Sequence, residues 1–146
     1  MKPLQTLTYT EDGAVARVGF RRDHINMAMV RELTAVCDHL EDESACTIVV
    51  FEGADDCFLR GIDFQDFRPD QPMDIHGFSK WEKCCVRIGR LRKATIAAID
   101  GPANGGGAQL VLVCDARVGS DRATLCFNEV HLGFLPGMAT YRLAKY

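Results

Sequence analysis

Apolar positions along the chain fall into short runs whose spacing alternates between strand-like and helix-like. Two β-type segments come first, Leu4–Thr10 and Ala14–Phe20, joined by Glu11-Asp12-Gly13 as a turn. Helical spacing follows over Met27–Leu40, with Met29, Val30, Leu33, Val36, Cys37 and Leu40 on one face. Cys46–Phe51 holds the β-branched run Thr47-Ile48-Val49-Val50, closes at Gly53 and predicts a buried strand. Residues 54–75 are polar and irregular, which predicts a mobile loop with a short helix in it. A second helix is predicted over Gly77–Leu91, with a basic end at Arg87, Arg90, Arg92 and Lys93. Thr95–Ile99 reads as another buried strand, and Gly101–Gly107 turns the chain into a third helix. Asp115–Ser120 and Thr124–Phe127 then read as short strands, and an amphipathic helix begins near Met138.

Strands alternating with helices in this way predict an α/β fold of repeated strand-strand-helix units, in one domain over residues 1–146. In such folds a site is assembled on the loops leaving the strand ends. Arg60-Gly61-Ile62-Asp63 and Asn104-Gly105-Gly106-Gly107 occupy those positions.

Composition narrows the classes further. The 146 residues are 47% hydrophobic and 25% charged, as in ordinary globular domains. A net charge of −3 gives no basic surface for nucleic acid or an anionic membrane. No apolar run is long enough to cross a bilayer, since Leu110–Val113 is broken by Cys114-Asp115. The N-terminus shows no secretory pattern, so a cytoplasmic location is expected. Seven cysteines form no C-x-x-C pair, and no metal site is expected. Surroundings such as Leu112-Val113-Cys114 and Leu125-Cys126-Phe127 predict reduced core thiols.

Three consecutive glycines at the mouth of an apolar helix allow close backbone approach, and the first-turn N–H groups there lack helical partners. Packing and the binding of developing negative charge explain that run equally well. No Gly-Lys-Ser/Thr follows, so it is not a phosphate-cradling loop. Phe58–Phe64 could contribute a second free N–H after a strand end; a surface turn capped by Asp63 is the alternative.

Taken together, Phe58–Phe64, Ile96–Gly107, Cys114-Asp115 and Phe127-Asn128-Glu129-Val130-His131-Leu132-Gly133 resemble the crotonase (enoyl-CoA hydratase/isomerase) superfamily. The resemblance runs from about Leu7 to the last residue. It implies a crotonase-like spiral of ββα units, incomplete at the C-terminus, because complete relatives continue past the end of this chain. It implies an acyl-CoA or acyl-carrier-protein thioester as substrate, with an enolate held by the Ile62 and Gly106 N–H groups. Coenzyme A or phosphopantetheine would enter only as part of that substrate, with no separate cofactor. Arg60, Gly61, Asp63, Gly105 and Gly107 would contact it, and a full-length protein would form a trimer or hexamer.

Hydratases of the superfamily carry two glutamates; here Gln109 stands at the first position and Glu129 at the second. An amide is no general base at neutral pH, whereas a carboxylate is. Glu129 is therefore the expected acid/base, with a helix-start carboxylate as the structural alternative. A single carboxylate suits double-bond isomerisation; Gln109 could still hold a water for hydration or dehydration. The run Leu132-Gly133-Phe134-Leu135-Pro136-Gly137-Met138 is also similar to crotonase homologues of polyketide and other secondary-metabolite pathways, which dehydrate or decarboxylate carrier-bound acyl chains, and a non-catalytic crotonase-like subunit is a third possibility. Arg60 and the Arg87–Lys93 cluster could pair with phosphates of the substrate, or the cluster could answer the helix dipole. Trp81, Phe64, Phe67 and Phe78 could line an acyl pocket or belong to the core, and Asp66 and Asp70 could touch substrate. His131 reads as structural or exposed.

Overall fold

The computed structural model describes residues 3–64, 75–133 and 135–145; Asp66, Phe67, Asp70 and Phe134 lie outside them. Strands β1 (Leu7–Asp12) and β2 (Val15–Phe20) form an antiparallel hairpin with Leu7 opposite Phe20. Glu11 and Asp12 stay inside the ladder, opposite Ala16 and Val15, so the turn sits one step later than expected. Gly13, at φ +55, makes the reversal there.

The chain then repeats one pattern three times. After β2 come β3 (His24–Ile25) and α1 (Met27–Asp42). β4 (Ile48–Glu52) is followed by β5 (Gly61–Ile62) and α2 (Ile75–Ile88). β6 (Ala94–Ile99) is followed by β7 (Pro102–Asn104) and α3 (Gly106–Val113). β8 (Ala116–Gly119) and β9 (Thr124–Cys126) begin a fourth round. The long strands make one sheet in the order β1-β2-β4-β6-β8, parallel from β2 onward. The short strands pair apart from it, β3 with β5 and β7 with β9. Each ββα unit thus advances by one strand spacing, which is the geometry of a spiral.

Local sequence accounts for the helices. Asn26 caps α1, its side chain accepting from the Met29 N–H at 2.9 Å. One face of α1, with Met29, Leu33, Val36 and Leu40 fully buried, packs on the core with Trp81, Cys85 and Ile88 of α2. Every residue of α3 is buried, as expected for a helix apolar on all sides.

Six of the seven free cysteines are buried, and burial pushes the Cys37, Cys84 and Cys114 thiols up to about 12. Cys126 departs from the expected core position: among the described residues β9 pairs with β7 alone and is exposed along its length. The helix expected from Met138 is a single turn, α4 (Ala139–Arg142), followed by a 3-10 turn at Leu143–Lys145. Val130, Leu132, Leu135, Tyr141 and Leu143 leave an apolar stretch exposed there. Among the described residues, no helix is long and apolar enough to cross a membrane.

Candidate active site

Hydrogen bonds zip two loop segments together at the heart of the spiral. The N–H groups of Phe58 and Leu59 donate to Pro102 O at 3.0 and 3.2 Å, and Asn104 N–H donates back to Leu59 O at 2.9 Å. This lays the approach to β5 against the approach to α3. Gly61 sits at φ +122, and a Cβ there would lie 3.2 Å from Asn104 O and 3.6 Å from Gly106 N. Glycine is what lets these two backbones come so close.

The same packing directs two amides. Ile25 pairs with Ile62 in the β3–β5 ladder, and Asp63 N–H donates to Ile25 O at 2.8 Å. Donors alternate in direction along a strand, so the Ile62 N–H faces away from β3. Gly106 opens α3 behind Gly105, and first-turn N–H groups have no acceptor inside their helix. Ile62 and Gly106 both line a cavity of about 400 Å³, a size suited to a small organic ligand.

The far side of this corner carries Glu129. It opens the 3-10 turn Glu129–Leu132, is only 6% exposed, and presents Oε1 at 3.4 Å from where a Gly105 Cβ would be. The Gln109 amide, one turn into α3, donates from Nε2 to Glu129 Oε1 and to Pro136 O, each at 3.3 Å. Four buried side-chain polar atoms lack a partner among the described residues, and three of them, Trp81 Nε1, Gln109 Oε1 and Glu129 Oε2, belong to cavity-lining residues. Buried polar groups are nearly always satisfied, so such a concentration marks a place kept for something other than stability. Phe64, Phe78, Trp81, Leu132 and Leu135 supply apolar wall.

Other expected contacts divide. Gly61, Gly105 and Arg60 line the cavity, and the Arg60 Nε also pairs with Asp23 at 3.2 Å. Gly107 and Asp63 are not among the lining residues. A Cβ on Gly107 would fall 2.0 Å from Leu59 O, so its place in the structure is in packing rather than against a ligand. Arg87 does not reach the cavity either: it pairs with Asp38 at 2.6 Å and with Glu41, both on α1. Lys93 donates to the Ser44 and Cys46 carbonyls, tying it to the loop before β4. His131 is exposed and away from the cavity. Sequence reading missed Glu82, Asn128, His24 and Gly137, which also line it. For Glu82 a signal existed: it lies four residues after Phe78, on the same helical face. Among the described residues no group of three or more His, Cys, Asp or Glu is placed to hold a metal ion.

Comparison with known proteins places this architecture. The family described as Enoyl-CoA hydratase/isomerase matches residues 10–146. A short-chain-enoyl-CoA hydratase of Clostridium acetobutylicum is 30% identical over 149 positions, covering 97% of this chain and 57% of the relative. The fatty acid oxidation complex subunit alpha of Aliivibrio fischeri is 36% identical over 128 positions, covering 83% of this chain and 19% of that protein. An enoyl-CoA hydratase structure from Bacillus anthracis superposes with a TM-score of 0.91 at 26% identity, over 97% of this chain and 58% of the other. The structure of Pseudomonas aeruginosa DspI, at 22% identity, shares the fold with a TM-score of 0.92 over 99% of this chain and 58% of that one. The chain spans about half the length of the enoyl-CoA hydratases it matches. With the ββα spiral and the family match both on hand, the chain belongs to the enoyl-CoA hydratase/isomerase family, within the crotonase superfamily.

Proposed function

We propose that the protein forms the enolate of an acyl-CoA, or carrier-bound acyl, thioester and shifts its double bond by proton transfer. The thioester oxygen sits between the Ile62 and Gly106 N–H groups. Removal of the α-proton moves charge onto that oxygen, and preorganised donors there contribute about 2.7–4 kcal/mol each to the barrier. The N-terminus of α3 favours the same charge. Coenzyme A enters only as part of the substrate.

Glu129 takes the α-proton. The observation that carries this reading is its setting: a buried carboxylate beside Gly105, one oxygen held by the Gln109 amide, the other without a partner among the described residues. With an amide at position 109, α3 brings no second carboxylate beside Glu129, which suits isomerisation better than the addition of water. The test is exchange of the α-protons of hexanoyl-CoA in D₂O, followed alongside conversion of 3-hexenoyl-CoA to 2-hexenoyl-CoA by the full protein. Exchange no faster than that of Glu129→Gln would sink the reading.

One observation favours a second reading. Gln109 Oε1 is buried without a partner among the described residues and can accept from a water, so hydration of a 2-enoyl thioester, the activity named for several relatives, fits it. Under that reading Gln109→Ala removes hydration while α-proton exchange outlasts it. The exposed apolar side chains of Val130, Leu132, Leu135, Tyr141 and Leu143 support an assembled working form.

A further inference from the structure

Glu82 stands in the cavity wall with no role in the chemistry so far described. It follows Trp81 on α2 and, with Phe78, forms the face of that helix turned to the cavity. Its carboxylate makes no hydrogen bond or ion pair with the described residues, although it is only partly exposed. Its position relative to the proposed base is fixed by two glycines. A Cβ on Gly137 would lie 2.5 Å from Glu82 Oε1 and 3.5 Å from Gln109 Nε2. A Cβ on Gly105 would instead meet Glu129 Oε1, at 3.4 Å. Gly137 thus stands beside both Glu82 and the Gln109 amide, Gly105 beside Glu129, and all five residues line one cavity.

We infer that Glu82 is a second proton-transfer group of this pocket, serving the γ-carbon of the acyl chain while Glu129 serves the α-carbon. The inference rests on the enolate reading. An acyl chain anchored by its carbonyl oxygen at Ile62 and Gly106 extends away from Glu129 with each further carbon. In the shift from the 3- to the 2-position, the Glu129 carboxylate takes the α-proton, and the C–H pair becomes part of a dienolate. The dienolate then takes at the γ-carbon a proton that Glu82 has drawn from solvent; the 2,3-double bond and the carbonyl re-form. Glu129 is left protonated and Glu82 ionised, and exchange with solvent resets both. The second carboxylate is thus supplied by α2 in a chain whose α3 carries an amide at position 109.

Deuterium tracing separates one group from two. The full protein is given 3-hexenoyl-CoA carrying deuterium at C2, in H₂O, and the label at C4 of the product is measured with the rate. Transfer by Glu129 alone carries deuterium from C2 to C4; transfer through Glu82 delivers solvent hydrogen. Wild type is expected to give little label at C4. Glu82→Gln is expected to lower isomerisation about 10²-fold, the usual scale for losing one acid/base group, and to raise the label at C4 in what remains. Glu82→Asp should recover part of the rate with solvent hydrogen at C4, which a merely structural role would not produce. An unchanged rate or an unchanged label distribution in Glu82→Gln overturns the inference. Wild type that exchanges α-protons without isomerising overturns it while leaving the enolate reading standing; wild type that does neither overturns both.

Discussion

Gln109 and Glu129, twenty positions apart in sequence, meet through one hydrogen bond, Nε2 to Oε1 at 3.3 Å. The amide fixes one oxygen of the carboxylate and, being neutral, adds no second negative charge to a buried corner. Several expectations depend on that arrangement.

Glu129→Gln keeps the shape of the side chain and removes its proton chemistry. Exchange and isomerisation should fall about 10²–10⁴-fold, the range for losing a general base. Binding of a saturated acyl-CoA, followed by calorimetry, should change only a few-fold. An unaltered rate would take Glu129 out of the mechanism.

Gln109→Glu would set two carboxylates at hydrogen-bonding distance. Like charges so close share a proton and titrate as a pair. Exchange at neutral pH should drop and recover as pH rises, because the shared proton must leave before either group works as a base. A pH–rate profile superimposable on that of wild type would show that the two side chains do not interact.

Gly106→Ala tests the fit around the second amide. The new Cβ would meet Ile25 Cδ1 at 2.7 Å and Trp81 Nε1 at 3.0 Å. Overpacking of this kind costs about 1–3 kcal/mol, so the thermal midpoint should fall. Trp81→Phe in the same chain should restore part of it. Additive losses in the double variant would argue against the contact.

Glu32 predicts a pH dependence of stability. Burial works to raise its carboxyl, but hydrogen bonds from Thr6 Oγ1 at 2.7 Å, Gln5 N–H at 2.8 Å and Thr6 N–H at 2.9 Å hold it below the usual carboxylate range. A carboxyl lowered in the folded state stabilises above its unfolded value and loses that contribution as pH falls through the folded one. Glu32→Gln should therefore cost about 1–3 kcal/mol at neutral pH, less as the medium is acidified below about pH 4. Denaturant titrations of both proteins at several pH values would reveal a constant gap if the idea is wrong.

Thiol labelling of the native protein should find one fast site. Cys126 is exposed, while the other six are buried and Cys37, Cys84 and Cys114 are pushed up to about 12. Mass spectrometry after brief maleimide treatment should show a single adduct, at Cys126, and seven after unfolding.

The long elements were legible because each repeats its period enough times to be seen: α1 shows one apolar face over four turns, and β4 opens on the β-branched Ile48-Val49-Val50. The strands β3, β5 and β7 were not, having two or three residues each, with pairing across the spiral as their whole definition. Gly61, Ile62, Gly105 and Gly106 stood out because glycines beside strand ends mark loops. That they face one cavity with Gln109 and Glu129 is a tertiary fact. Arg87 lies in the last turn of α2, one of the two places the sequence left open for it, but its partners Asp38 and Glu41 on another helix were not legible for the same reason. Cys126 looked apolar by its neighbours, but among the described residues its strand is exposed along its length.

The complete burial of α3 has a consequence for how this protein could change. The helix that presents Gly106 and Gln109 has no face on which a substitution would be harmless, and its position is dictated from all sides. The wall opposite is different: Phe64, Leu132 and Leu135 line the same cavity yet are exposed. Mutations there can reshape that wall without touching the buried helix. Under the proposed function, chain-length preference and proton transfer would then be set by separate parts of the molecule, and the first could drift while the second stays put.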